Sequence, residues 1–186
     1  MRQMSGSRLP VATMVLTIVT SVSTLALAST QRGPVRVDNG LVTNTRVGYY
    51  FALPKGWELQ ADSDYRNLKV LHPESGSWLS VDYDRARGDP NAYFMALVFS
   101  FKSPSSTSSG AEIKDIAVGG RPGKEARKVV KSKEGGVVDQ RFAFILDGEY
   151  VYTIASSVPH DQVAERAPDV DTMISSFGWG RPSRSE

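Results

Sequence analysis

The sequence predicts an α+β domain: an antiparallel β-sheet covered by helices on both faces, an α/β/α sandwich. Three observations predict it. The stretch Gly136 to Val158 reads as a long hairpin apolar on both faces, two other stretches alternate with the period of strands, and two carry helix signals.

The hairpin comes first because it decides the layering. Asp147-Gly148 sits between two β-branched and aromatic runs, the usual mark of a two-residue type I′ loop in which both central residues take positive φ. Leu146 then pairs with Glu149, Phe144 with Val151 and Ile145 with Tyr150. Opposed residues share a face. One face collects Phe142, Phe144, Leu146, Val151 and Ala155, and the other collects Ala143, Ile145, Tyr150, Tyr152 and Ile154. A sheet with one wet face would alternate apolar with polar, so a pair apolar on both sides calls for cover on both.

At the N-terminus, Arg2 and Arg8 flank the start of an apolar run from Leu9 to Ala28 that ends in the small-x-small pattern Ala26-Leu27-Ala28. This reads as a secretory signal peptide over residues 1–28, cleaved after Ala28. An uncleaved membrane anchor is the alternative, and Thr13, Thr17, Thr20, Ser21, Ser23 and Thr24 dilute the run against it. Removing the leader takes away two basic residues and leaves 20 Lys+Arg against 20 Asp+Glu. A chain of zero formal charge has no electrostatic footprint for nucleic acid or an anionic membrane surface, and no membrane insertion of the mature domain is expected. The absence of Cys rules out disulfides, thiolate chemistry and lipid attachment through cysteine. The expected address is extracytoplasmic, periplasmic or secreted.

Residues 29–40 read as a linker, with Asn39-Gly40 a turn. Val47, Tyr49, Phe51 and Leu53 then alternate as a strand, stopped by Pro54-Lys55-Gly56 ahead of Trp57. A second hairpin runs from Leu68 to His72 and from Ser77 to Tyr83. With His72 opposite Ser77, its register puts Leu68, Val70, Leu79 and Val81 on one face and Leu71 against Trp78 on the other. Asp89-Pro90 reads as N-cap and N1 of a helix with Phe94, Leu97, Val98 and Phe101 as its apolar residues, a strand over Tyr93 to Phe101 being the alternative. Residues 103–110 form a Ser-rich loop, and Glu112 to Val118 and Lys124 to Ser132 are strands joined by a Gly119 to Gly123 turn. Val163, Ala167, Val170, Ile174 and Phe177 recur at helical spacing, with Pro168 read as N1 of the main helix, where Asp169 and Asp171 complement the positive helix end. The domain spans 41–179, and residues 180–186 are a disordered tail.

Gly48-Tyr49-Tyr50-Phe51-Ala52-Leu53-Pro54-Lys55-Gly56-Trp57 resembles the Gly-aromatic-x-aromatic-x-x-Pro-x-x-Trp opening of the PsbP-like superfamily, bacterial extracytoplasmic relatives of an extrinsic photosystem subunit. Gly119-Gly120-Arg121-Pro122-Gly123, the hairpin through Tyr150 and Tyr152, and Ile174-Ser175-Ser176-Phe177 follow in the order of that family. The resemblance covers roughly Leu41 to Trp179 and implies an antiparallel sheet with helices on both faces. Its motifs are structural and name no activity. The namesake's photosynthetic role is not carried over.

Catalytic patterns fail one by one. Gly119-x-x-x-Gly123-Lys124-Glu125 lacks the spacing and the Ser or Thr of a phosphate-binding loop and reads as a turn between strands. Asp82-x-Asp84 offers Ala86, Arg87 and Tyr93 where an EF-hand loop needs an oxygen ligand, Gly and Glu, so it reads as a solvated strand end. His72 and His160 are the only histidines and read as solvated surface residues without partners. No Gly-x-Ser-x-Gly elbow presents a serine.

No enzyme activity, catalytic residue, metal ligand or cofactor is therefore expected. Among Tyr49, Tyr50, Trp57, Trp78, Tyr83 and Trp179, most read as core or sheet cover. Trp78 differs, because its hairpin face also carries Lys69, Ser80 and Asp82. Trp78, Leu71, Lys69 and Asp82 are the candidate surface for a protein partner. The alternative is a domain binding a small ligand or metal, which a large polar-lined cavity near Trp78 would favour; a hydrolase comes third, and a Ser or Asp within hydrogen-bond reach of either histidine would favour it.

Overall fold

A computed structural model describes residues 33–102, 110–131 and 135–180. The signal peptide read at 1–28, nearly all of the Ser-rich loop and residues 181–186 of the tail lie outside them. Among the described residues, the strands form two antiparallel sheets.

The smaller sheet contains β1 (Val35–Asp38), β2 (Leu41–Asn44), β3 (Tyr49–Ala52) and β11 (Gly178–Trp179), in that order. Strand β1 corrects the linker reading, since its Val35 is buried and Asp38 pairs with Leu41. Asn39 and Gly40 both take positive φ, 49° and 72°, so this Asn-Gly pair makes the turn with two left-handed residues that a type I′ hairpin needs. In β3, Tyr49 and Phe51 are buried and alternate with half-buried neighbours, as read from the sequence.

The larger sheet contains β4 (Glu58–Leu59), β5 (Asn67–His72), β6 (Ser77–Arg85), β7 (Glu112–Val118), β8 (Arg121–Lys131), β9 (Val137–Asp147) and β10 (Tyr150–Pro159), ordered β4-β5-β6-β10-β9-β8-β7. The β5–β6 register is the one expected, with His72 opposite Ser77 and Leu71 opposite Trp78. The β9–β10 register is not. Tyr150 pairs with Asp147 and Val151 with Leu146, so the loop is Gly148-Glu149. Gly148 has φ 60° while Glu149 stays at negative φ, the Gly-first arrangement of a type II′ turn. Each partner moves by two residues. An even displacement keeps every side chain on its expected face, whereas a single step would have exchanged the faces.

Those faces feed two core clusters. Phe144 and Val151 join Ala126 and two buried residues, Phe94 and Val98, of α1 (Pro90–Ser100). Ala143, Ile145, Tyr152 and Ile154 join Leu68, Val70, Leu79, Val81, the smaller sheet's Tyr49 and Phe51, and Val170, Met173 and Ile174 of α2 (Val163–Ser175). The α1 start is as read: Asp89 Oδ1 accepts from the Ala92 amide at 2.7 Å, and Pro90 opens the helix. The α2 start is a correction. A 3₁₀ turn over His160–Gln162 leads into it and Pro168 lies inside the helix, where its missing N–H leaves the Ala164 carbonyl without that helical bond.

Asp169 and Asp171 find other work than the helix end. Asp169 accepts from the Trp57 indole at 3.0 Å, and Asp171 is paired with Arg141 of β9. The turn read over Gly119 to Gly123 shrinks to Gly119-Gly120, with Val118 paired to Arg121. A Cβ on Gly119 would sit 2.7 Å from the Phe177 carbonyl and the Trp179 ring, so glycine lets β11 close against this turn.

Candidate functional site

Strand alternation places the predicted partner residues together. Leu71 and Lys69 of β5 lie opposite Trp78 and Ser80 of β6, and Asp82 continues the same face of β6. Trp78, Leu71, Lys69 and Asp82 are each half-buried. Lys69 Nζ stands 5.3 Å from the centre of the Trp78 ring, within cation-π range. Burial pushes the Asp82 carboxyl up from its ordinary value, against a lowering hydrogen bond from Ser80 Oγ at 3.2 Å. The α1 cluster on this side of the sheet draws its strand residues from β7, β8, β9 and β10, and neither cluster contains Trp78 or Leu71. Four of the other aromatics go to the core: Tyr49 and Trp57 are buried, and Tyr83 and Trp179 pack against the same cluster, while Tyr50 is half-buried and in neither cluster.

The histidines divide. His72 is 4% exposed, which corrects the surface reading. Its even position on β5 shares the inward face with Leu68 and Val70, and its ring meets Trp57 edge-on at 5.8 Å. Gly56, at φ 88°, makes the room: a Cβ there would come within 2.9 Å of Nε2. Among the described residues, neither His72 Nδ1 nor Ser77 Oγ, opposite it, finds a hydrogen-bond partner. His160 is exposed as expected, but it has a partner, with Nδ1 2.5 Å from Asp139 Oδ2. Among the described residues, neither imidazole makes a hydrogen bond to a serine hydroxyl.

The sequence reading missed a buried carboxylate. Glu125 on β8 is fully inaccessible and faces inward with its neighbours in register, Lys114 on β7 and Ala143 on β9. Lys114 Nζ approaches it at 3.2 Å and Arg127 Nε at 2.7 Å, and Arg141 pairs with it while also holding Asp171. Burial works to raise the Glu125 carboxyl, and the Arg127 hydrogen bond with the charges of Arg141 and Lys114 outweighs it, holding Glu125 below the usual carboxylate range. The signal was present as charges recurring at every second position, Glu125 and Arg127, Asp139 and Arg141. Alternation alone does not say which face they take.

Beside this network a cleft of about 290 Å³ opens between α2 and the sheet, lined by Arg127, Asp139, Arg141, Val158, Ala167 and Val170 among others. Its lining mixes charged groups with a larger share of apolar surface, and it lies on the face opposite Trp78.

No family model matches the chain, and no curated protein matches it by sequence. Solved structures do. LpqN of Mycobacterium tuberculosis, involved in cell envelope biogenesis, superposes with a TM-score of 0.54 at 13% identity, over 72% of this chain and 83% of that one. The Ran-binding protein Mog1p of Saccharomyces cerevisiae gives 0.52 at 11% identity, over 77% and 96%. The cyanobacterial PsbP, CyanoP, of Synechocystis sp. PCC 6803 gives 0.50 at 16% identity, over 79% and 99%. The PsbP-like resemblance therefore holds as a likeness of fold, a mainly antiparallel α+β architecture with two helices.

Proposed function

We propose that this chain is a non-catalytic extracytoplasmic module of PsbP-like fold that binds a protein partner through the β5–β6 face bearing Trp78, Leu71, Lys69 and Asp82. The observation that carries the reading is Trp78: a large aromatic, half-buried, under a lysine and outside both core clusters. Such amphipathic aromatics supply much of the energy when a partner covers them, because their area is large and their rotamer cost small. The mixed Lys69 and Asp82 margin would orient a partner at little cost in solvation.

The layering supports it. Phe144 and Ile145 are adjacent and point to opposite faces; Phe144 packs with α1 residues and Ile145 with α2 residues, so we read a three-layer sandwich with a helix on each face. On the α1 side, the β5–β6 end is the part left for a partner. The neighbours' described roles, Ran binding for Mog1p and envelope biogenesis for LpqN, are compatible with a binding module, and the Ala26-Leu27-Ala28 pattern supports export. His160 lies within reach of Asp139 on an exposed surface, but among the described residues no serine hydroxyl bonds to either imidazole, so the hydrolase reading stands behind the binding module. Retention of partners from the native envelope by wild type and by Trp78→Ala tests the reading, with folding of both checked by circular dichroism. Equal retention would contradict it.

A further inference from the structure

We propose that the cleft between α2 and the β8–β9 face binds a small zwitterion of the α-amino acid class with an apolar side chain, its carboxylate held by Arg127 and its ammonium by Asp139. This site is on the sheet face opposite Trp78 and does not depend on the partner-binding reading.

The register sets the spacing. Arg127 opposes Arg141 and Val129 opposes Asp139, so Arg127 and Asp139 are diagonal neighbours on one face. Diagonal positions stand about 7–8 Å apart, a gap that a carboxylate and an ammonium on one carbon can bridge between a long arginine and a short aspartate side chain. Arg127 is fixed to Glu125 through Nε, while its side chain remains 52% exposed along the cleft. A guanidinium anchored at one edge offers the planar fork of its other edge to a carboxylate. Asp139 is likewise held, by His160, and remains 35% exposed.

The other lining groups select between ligand charges. Arg141 is occupied by Glu125 and Asp171, and Lys128 turns to the opposite face, where its Nζ lies 5.0 Å from the Phe101 ring centre. A plain anion would meet Arg127 but also the carboxylates of Asp139, Asp171 and Glu112, and a plain cation would meet Arg127 itself. A ligand of both signs meets neither repulsion uncompensated. Val158, Val163, Ala167 and Val170 supply the apolar wall. The 290 Å³ volume falls at the lower edge of the roughly 300–1,000 Å³ of small-molecule sites, which sizes the occupant as an amino acid.

The test is calorimetric titration of the full chain with L-leucine, L-valine and L-phenylalanine, then with 4-methylpentanoate, which lacks the ammonium, and 3-methylbutylamine, which lacks the carboxylate. Saturable binding of at least one amino acid is expected, with either truncated analogue weaker by about tenfold or more. Asp139→Asn should weaken the amino acid and spare 4-methylpentanoate. Ala167→Phe, which fills the cleft without altering a charge, should abolish binding. No saturable binding of any of the three amino acids at millimolar concentration, equal binding of either truncated analogue, or unchanged binding by a folded Ala167→Phe variant would each overturn the assignment.

Discussion

Trp57 donates its indole N–H to Asp169 Oδ2 at 3.0 Å, joining the loop after β3 to α2 across 112 residues of sequence. Trp57 is 4% exposed and its ring also backs His72, so one side chain fastens the smaller sheet's exit to the helix and to the end of β5. Trp57→Phe keeps most of the ring and removes the donor. A hydrogen bond to a charged group is worth about 1.5–3 kcal/mol, and the variant should lose stability of that order in urea unfolding. Asp169→Ala should cost a similar amount, and the double variant much less than the sum.

The central hairpin gives a second prediction. Phe144 is fully buried between α1 and the sheet, so Phe144→Ala should cost about 3–5 kcal/mol. Gly148 has open space around its missing Cβ, and only its φ of 60° opposes a side chain. Gly148→Val should therefore cost about 1–3 kcal/mol, a purely backbone penalty. Thermal melts that rank the two in the reverse order would contradict the packing described.

Glu125 sets an acid limit. Its folded pKa lies below its unfolded value, so the charged form contributes stability that is fully present above the unfolded pKa and is lost as pH falls through the folded one. Urea midpoints should fall on acidification from the ordinary carboxylate range downward. Glu125→Gln should be less stable than wild type at neutral pH, since it leaves Lys114, Arg127 and Arg141 facing a neutral amide, and the gap should narrow in acid. A gap that widens in acid would contradict the assignment.

The histidines should separate stability from function. His72→Ala removes a buried ring packed on Trp57 and should lower the melting temperature, while His160→Ala, on the surface, should barely move it. Neither should affect partner retention in folded protein. Gly56→Ala is the companion test: at φ 88°, with His72 Nε2 2.9 Å from the new Cβ, it should destabilise.

What could be read in the sequence was periodicity. Alternation gave β3 and the β5–β6 register, and the Asp89-Pro90 pair marked the start of α1 to the residue. Turn chemistry was less legible. Asn39-Gly40 took the conformation expected of Asp147-Gly148, because either dipeptide tolerates positive φ and only the paired strands decide where the loop falls. Strand β1 escaped notice since four residues carry too little pattern, and Pro168 misled because a proline is accommodated inside α2. At the candidate surface, the shared face of Trp78, Leu71, Lys69 and Asp82 was readable from register alone. The burial of His72, the Glu125 network and the cleft beside α2 depend on which layer covers which face, and that is a tertiary fact.

The most direct measurement of the central claim is retention of envelope proteins by the folded chain, compared among wild type, Trp78→Ala, Lys69→Ala and His160→Ala. Aromatic anchors commonly carry about 2 kcal/mol or more of an interface, so Trp78→Ala should weaken retention by at least about tenfold, Lys69→Ala should weaken it less, and His160→Ala should leave it unchanged. Undiminished retention by Trp78→Ala, or its loss in His160→Ala, would contradict a partner surface on the β5–β6 face.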